Sequence, residues 1–346
     1  MSEPPAIVHN ATTAVQLYES AGGLRIAEKV TLGFFAYATT AGFVFPLSFR
    51  ERALMVGLNL LAGTAVVLLA RLGGEKSSKL LTTLRDWSPA VLILLAYRES
   101  GLFLTPDPTH RLDYLFIQWD RVLLENPLVL RGLSFFSPWL QRYLEFAYFL
   151  CYPLVPIAAG SLLLARRAHR GEDSHAVAAV GACPPGRDRQ EDSPLSQGDL
   201  HDRPGASRGL APGNAGRMID HFWTAVLLAV LTCYVLFPFF PLTPPRVLFH
   251  DVPSPVVLPV LRRWNYWLLD RYSVQACIFP SGHVAAVTAV ALAIRAYLPR
   301  VGVLFIIAAA SIAVSTVYGR YHYAADALAG ALVGLAAYFI STRIHR

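Results

Sequence analysis

Three residues in the C-terminal third of the chain have types and spacing suited to chemistry at phosphorus: His283, His322 and Asp326. A neutral imidazole can attack phosphorus when its other ring nitrogen donates a hydrogen bond to a carboxylate, because this bond fixes the tautomer and stabilises the cation that forms. His322 and Asp326 are four residues apart, so they share one face of a helix. His283 can then act as the general acid that protonates the leaving oxygen.

The elements around these residues must bring them to the same depth. An apolar run of 278–298 contains His283, and a second apolar run of 301–317 precedes His322. Each run is long enough for one short membrane crossing. Two crossings return the chain to its starting side, so we expect both histidines at one membrane face.

Candidates for holding a phosphate surround these residues. Ser281 and the Gly282 amide lie at the start of a predicted helix, where backbone N–H groups and the helix dipole favour anions. Arg246 and Arg320 can supply guanidinium groups with the forked geometry that matches phosphate oxygens. Ligand spacing predicts no metal site and no cofactor.

The segment Pro280-Ser281-Gly282-His283, followed by His322 and Asp326, resembles the type 2 phosphatidic acid phosphatase (PAP2) superfamily of lipid phosphatases and phosphotransferases. The resemblance covers about the last 130 residues. It implies a helix bundle in which His322 is the nucleophile that forms a phosphohistidine, His283 the general acid, and Asp326 the residue that orients the nucleophile.

Two motifs differ from the family pattern. Phe239 stands where a lysine is expected seven residues before Arg246, and Ser315-Thr316 stands where the family has Ser-Arg. Arg320 is the expected replacement for the missing guanidinium. Pro244-Pro245-Arg246 and the tyrosines around His322 resemble the inositol phosphorylceramide synthase branch. Hydrolysis of a lipid phosphate, transfer of a phospho-headgroup to an alcohol, and lipid transport or scrambling by an inactive site are the three functions left open.

Composition indicates a polytopic membrane protein. The 346 residues are 54% hydrophobic and 15% charged, whereas soluble domains average about 25% charged residues. We predict an all-α bundle of about eight transmembrane helices, with the PAP2-like core in the C-terminal half. The eight predicted spans are 30–48, 53–70, 87–104, 143–164, 219–238, 278–298, 301–317 and 323–340.

The predicted organisation has two regions. Residues 1–141 form an N-terminal membrane region of three spans and an interfacial helix, whose apolar positions from Leu112 to Leu123 follow helical spacing. Residues 142–346 form the catalytic core, interrupted by a disordered cytoplasmic loop at 166–217 that lacks aromatic residues. Arg98 and Glu99 interrupt the third span; they pair with each other or with Glu145, or they line a headgroup pocket.

The net charge of +7 predicts orientation rather than nucleic-acid binding, because arginine and lysine concentrate in loops that would share one side of the bilayer. These loops and both termini are expected to be cytoplasmic, and the candidate site to face outward. The plasma (cytoplasmic) membrane is the expected location, with a lipid phosphate and the bilayer as the partners.

Overall fold

A computed structural model describes residues 23–73, 77–104, 111–124, 138–181, 214–249, 259–274, 276 and 279–346, with side chains left undescribed at Arg111, Pro138, 169–181, 214–215 and Pro259. This part of the chain is helical and contains no β-strand. Its eleven α-helices, with one 3₁₀ turn at Phe237–Phe239, are α1 Ile26–Val44, α2 Phe49–Leu72, α3 Lys79–Leu102, α4 Arg111–Leu124, α5 Pro138–Gly181, α6 Asn214–Leu236, α7 Pro245–Leu248, α8 Pro259–Tyr272, α9 Gly282–Tyr297, α10 Pro299–Tyr318 and α11 Ala324–Ile344.

Several of these helices suit a bilayer. Five stretches in the described residues are long and apolar enough to cross a membrane, and they support an integral membrane protein. They are Phe49–Leu72, Trp139–Ala168, Gly216–Phe239, Pro299–Tyr318 and Ala324–Ile344, while Gly282–Tyr297 is apolar but shorter. The predicted number of about eight spans is not confirmed. Charged residues within α1 and α3, such as Glu28, Arg85 and Glu99, lower the apolarity of those two helices.

The helices extend into the predicted loop at 166–217 from both ends. Helix α5 continues to Gly181, and α6 begins at Asn214. Residues 182–213 lie outside the described part of the chain, as do 105–110 and 125–137 on either side of α4. The predicted interfacial helix is present as α4, with Phe116 buried and Val122 78% exposed.

Helix α9 lies at the centre of the C-terminal part of the bundle. It packs against α5, α6, α10 and α11, and α6 in turn packs against α1, α3 and α5. Alanines fill much of the buried face of α9, so neighbouring backbones can approach closely. The beginning of α9, the end of α10 and the beginning of α11 therefore meet at one end of the bundle, which we call the site end.

Ion pairs hold the opposite end together. Arg85 of α3 pairs with Glu28 of α1 at 2.6 Å, and Asp86 pairs with Arg25 at 2.6 Å and with Arg166 of α5 at 3.2 Å. Because these carboxylates and guanidinium groups are mostly buried, each needs its partner to offset the cost of leaving water. The contacts fix α1, α3 and α5 relative to one another at the end distant from the candidate site.

Two glycines set the distance between α9 and α11. A Cβ atom added at Gly330 would lie 2.5 Å from the Ser281 carbonyl oxygen, and one at Gly334 would lie 2.5 Å from the Ala285 carbonyl oxygen. Their spacing of four residues places both on one helix face, as in the small-residue contacts of membrane helices. The contact at Gly330 lies one helical turn from Asp326.

Replacement of Gly330 tests this close approach. We expect Gly330→Ala to destabilise the bundle by about 1–3 kcal/mol, because the added methyl group meets backbone atoms that cannot rotate away. The measurement is the thermal unfolding midpoint of the purified protein in detergent. Gly57→Ala is the control, since a Cβ there has nothing within 4 Å. Equal midpoints for the two variants would contradict the close contact.

Candidate active site at the end of the helix bundle

The two histidines and the aspartate converge as their spacing predicts. His322 Nδ1 lies 2.5 Å from Asp326 Oδ2, and His322 Nε2 lies 3.2 Å from His283 Nδ1. His322 and Asp326 are 7% and 0% exposed. Because a carboxylate can only accept at neutral pH, Nδ1 of His322 carries the proton and Nε2 holds the lone pair. The nitrogen that holds the lone pair therefore faces His283.

Local structure fixes each of these side chains. Asp326 lies in the first turn of α11 and His283 in the first turn of α9. His322 lies just before α11, and its amide donates to the Thr316 carbonyl at 2.9 Å. The Ser281 amide donates to the Asp326 carbonyl at 3.2 Å. This last bond joins the segment before His283 directly to the helix that carries the aspartate.

Ser281 and Gly282 begin α9. The Ser281 side chain is fully buried and accepts a hydrogen bond from the Val284 amide at 3.4 Å, so it acts as the helix N-cap. Gly282 is the first helical residue. The predicted contribution of both residues to phosphate binding stays a prediction.

Arg246 and Arg320 approach the histidines on linked loops. The Arg246 amide donates to the Arg320 carbonyl at 2.9 Å. The Arg246 guanidinium is close enough to act electrostatically on His283, Tyr97 and Tyr152. Its Nη2 is buried and has no acceptor among the described residues. A buried cationic donor without a partner costs free energy, and an anion bound beside His283 would remove that cost.

The backbone of Arg320 is strained. Its φ is +61°, in the left-handed region that residues other than glycine rarely adopt. Such a conformation costs on the order of 1 kcal/mol and is most often retained at functional sites. Arg320 also lines a cavity of about 320 Å³ together with His322. Arg320 and His322 therefore face the same cavity.

A network of buried polar side chains supports the loop that carries His322. The Glu145 carboxylate of α5 accepts hydrogen bonds from Arg262 at 3.1 Å, Asn265 at 2.9 Å and the Tyr321 hydroxyl at 2.8 Å. Arg262 also donates to the Gly319 carbonyl at 3.2 Å. Burial raises the pKa of Tyr321, and the charge of Glu145 raises it further, so the hydroxyl stays protonated and donates.

Stacking completes the support of this loop. The Tyr148 and Tyr321 rings are 3.6 Å apart at an interplanar angle of 13°.

The contribution of α8 was not predicted from the sequence. Arg98 was one expected partner of Glu145, whereas the ion-pair partner is Arg262. The pattern Arg262-x2-Asn265-Tyr266 after Pro259, with helical spacing, was the available signal.

Helix α4 also docks on the site. Asp120 accepts from the Ala324 amide at 2.9 Å and from the Ala325 amide at 3.2 Å, and so caps the start of α11. Asp113 accepts from the Thr243 amide at 2.8 Å. Burial raises the pKa of Asp120, while its bonds to the two amides oppose that change. The sequence predicted the amphipathic helix but not its contact with α11.

Comparison with known proteins is consistent with this geometry. Residues 213–340 match the family model described as the PAP2 superfamily, and this match supports assignment of that part of the chain to the superfamily. The superfamily indicates an activity of the phosphatase or phosphotransferase type. Searches of curated proteins and of solved structures found no significant match. The site lies within the matched region except for the contributions of α4 and α5.

The Glu145–Arg262 pair yields a test of the support network. We expect Glu145→Gln to destabilise the protein by about 3 kcal/mol, because Arg262 is left as a buried charge without its counter-ion. Combining it with Arg262→Met should restore much of the loss, since no unpaired charge remains. Thermal unfolding in detergent over the double-mutant cycle measures the coupling. The exposed neighbour Arg263→Gln is the control, and additive effects in the cycle would contradict the pairing.

Proposed function

We propose that the protein is an integral membrane phosphatase that cleaves a phosphomonoester or diphosphate of a lipid through a phosphohistidine. The observation that carries this proposal is the hydrogen-bonded chain from Asp326 through His322 to His283. It supplies an oriented nucleophile and an adjacent proton donor, which are the two groups that phosphoryl transfer to histidine requires.

The first step forms the intermediate. The lone pair on His322 Nε2 attacks phosphorus, the bond between phosphorus and the lipid oxygen breaks, and His283 transfers a proton to that oxygen. Asp326 stabilises the positive charge that develops on the His322 ring. In the structure, the 3.2 Å contact between the imidazoles occupies the nucleophilic lone pair. Substrate binding must therefore separate the two rings.

The second step releases phosphate. Water attacks the phosphorus of the phosphohistidine, His283 takes up the proton of the water, and the bond between phosphorus and His322 Nε2 breaks. His283 is thus acid in the first step and base in the second, as microscopic reversibility allows. Both steps return His322 and Asp326 to their starting protonation states.

Cationic groups stabilise the phosphoryl oxygens. We assign Arg246 and Arg320 to this function, with Ser281 and the Gly282 amide at the positive end of α9. The unpartnered Nη2 of Arg246 supports the first assignment, and the left-handed backbone of Arg320 supports the second. Arginine can supply this charge without a metal ion, so we expect turnover to continue in the presence of a chelator.

The lipid is expected to approach from the side of the bundle. Helix α4 exposes Tyr114, Trp119 and Val122 on one face, with exposures of 66%, 44% and 78%, while its other face contacts α11. An amphipathic helix of this kind lies at the boundary between headgroups and acyl chains. We assign the site end to the outer face of the plasma (cytoplasmic) membrane because arginine and lysine concentrate in the loops predicted on the other side.

A phosphotransferase is the second candidate. The cavity of about 320 Å³ beside His322 can hold an alcohol that takes the place of water in the second step. The Pro244-Pro245-Arg246 segment, which resembles the inositol phosphorylceramide synthase branch, also favours a phosphotransferase. The bonds formed and broken are the same, with the alcohol oxygen in place of water. The product is a phosphomonoester of the alcohol, or a phosphodiester when the donor is a phosphodiester whose headgroup stays on phosphorus.

Substitution of the nucleophile tests the mechanism. We expect His322→Ala to remove turnover of lipid phosphates and Asp326→Asn to reduce kcat by about 10²–10⁴-fold, because the wrong tautomer is then favoured. Phosphate release from phosphatidate, polyprenyl diphosphate and lysolipid phosphates is measured in proteoliposomes with chelator present. In addition, a ³²P-labelled phosphohistidine should be trapped on the wild type and be absent from the His322→Ala variant.

The matched control is His345→Gln, a histidine at the opposite end of the bundle that pairs with Asp220. Its turnover should equal that of the wild type. Turnover that survives His322→Ala would overturn the nucleophile assignment. Movement of labelled lipid without phosphate release, unchanged by His283→Ala, would instead favour a transporter or scramblase.

An acceptor experiment separates the two catalytic candidates. A phosphatase should release inorganic phosphate at a rate that added inositol or another polyol does not change. A transferase should convert the polyol to its phosphate ester and release less phosphate, because alcohol and water compete for the same phosphohistidine. Mass spectrometry of the phosphorylated products, with and without polyol, measures the partition.

A further inference from the structure

Helix α4 holds one cationic residue at a fixed position beside the nucleophile. Asp120 is bonded to two amides at the start of α11, and Asp113 is bonded to the Thr243 amide at 2.8 Å. The Tyr323 hydroxyl also donates to Asp113, at 3.4 Å. These bonds join α4 to the three residues that directly follow His322 and to Thr243. The register of α4 relative to the site is therefore set by hydrogen bonds.

Arg121 follows Asp120 directly and lines the 320 Å³ cavity with Arg320 and His322. Arg121 is exposed, so its guanidinium can reach a ligand at the mouth of the cavity. The cavity also contains Asp120, whose carboxylate already accepts hydrogen bonds from two backbone amides. The lining thus combines two arginines with one such carboxylate, in a space large enough for a phosphoryl group and its neighbours.

This charge is separate from Arg246. Arg246 acts on His283, Tyr97 and Tyr152, on the side of α3 and α5. The cavity with Arg121 is lined by residues of α4, by Pro245 and Phe249 at the two ends of α7, and by residues around His322, and Arg246 itself is not among them. Arg246 and Arg121 thus approach the histidine pair from different helices. One phosphoryl group occupies only one of these positions.

We propose that the cavity between α4 and the His322 loop binds the second phosphoryl group of a diphosphate, and that Arg121 is the residue that selects for it. In a lipid substrate the reacting phosphorus then lies between His322 and His283 beside Arg246. The other phosphoryl group lies beside Arg121, and Arg320, which lines the same cavity as His322, contacts both. The choice of a lipid diphosphate rests on the proposed function, whereas the anion subsite does not.

The first experiment measures binding without turnover. Inorganic diphosphate and inorganic phosphate are titrated into the full-length protein in detergent by isothermal calorimetry. We expect the wild type to bind diphosphate about tenfold more tightly than phosphate, because a charge-assisted bond to a second phosphoryl group contributes at least that much. Arg121→Gln should remove most of this preference, and Arg121→Lys should retain part of it because the charge remains without the forked geometry.

The matched control is Arg263→Gln, which removes an exposed arginine of α8 at the same end of the bundle. It should keep the wild-type preference for diphosphate. Loss of the preference in the Arg263 variant as well would show a general effect of surface charge and overturn the proposal. Absence of the preference in the wild type, or its persistence in Arg121→Gln, would overturn it too.

The second experiment compares a lipid monophosphate with the diphosphate of the same tail. Arg121→Gln should lower kcat/KM for the diphosphate about tenfold more than for the monophosphate. Equal losses for the two substrates would contradict selection by Arg121. Failure of the proposed function gives a different result, since turnover would then survive His322→Ala. The binding of inorganic diphosphate would still show whether the subsite exists.

Discussion

The hydrogen bond between His322 and Asp326 is the constraint on which the site depends. It decides which ring nitrogen carries the proton and which carries the lone pair, and so which way the imidazole can act. Asp326 is fully buried. Its backbone carbonyl accepts a hydrogen bond from the Ser281 amide, and this bond also holds the residue in position. The short distance between α9 and α11 at Gly330 allows that backbone bond to form. The close packing of two apolar helices thereby determines the geometry of the hydrogen-bonded His322–Asp326 pair.

The low polarity around the bundle explains why the supporting groups come as networks. A single charge inside a membrane helix is costly, while a carboxylate that accepts from Arg262, Asn265 and Tyr321 has its oxygens satisfied. Buried polar groups normally have hydrogen-bond partners, and the buried Nη2 of Arg246 is an exception because it has no acceptor among the described residues. Since Arg246 is a cation whose buried donor has no acceptor among the described residues, a ligand of opposite charge is the simplest account.

Much of the site could be predicted from the sequence because its members are local or periodic. His322 and Asp326 are one helical turn apart, and two apolar runs place His283 at the same depth. The match of residues 213–340 to the PAP2 superfamily is consistent with that interpretation. The number of spans was harder to predict, because charges inside α1 and α3 leave their length as the only membrane signal. Those charges are paired in the folded bundle, and pairing is invisible in a hydropathy average.

The supporting contacts could not be predicted, since they join positions more than a hundred residues apart. Glu145 and Arg262 are separated by 117 residues, and Asp120 and Ala324 by 204. Nothing in the local pattern of either segment indicates its partner. These contacts also show that the residues that support the candidate site extend beyond the matched region. Glu145 and Tyr148 come from α5, and Asp113 and Asp120 come from α4, and together they hold both sides of the His322 segment. A fragment limited to residues 213–340 would keep the histidines and the aspartate but lose the groups that orient the loop between α10 and α11.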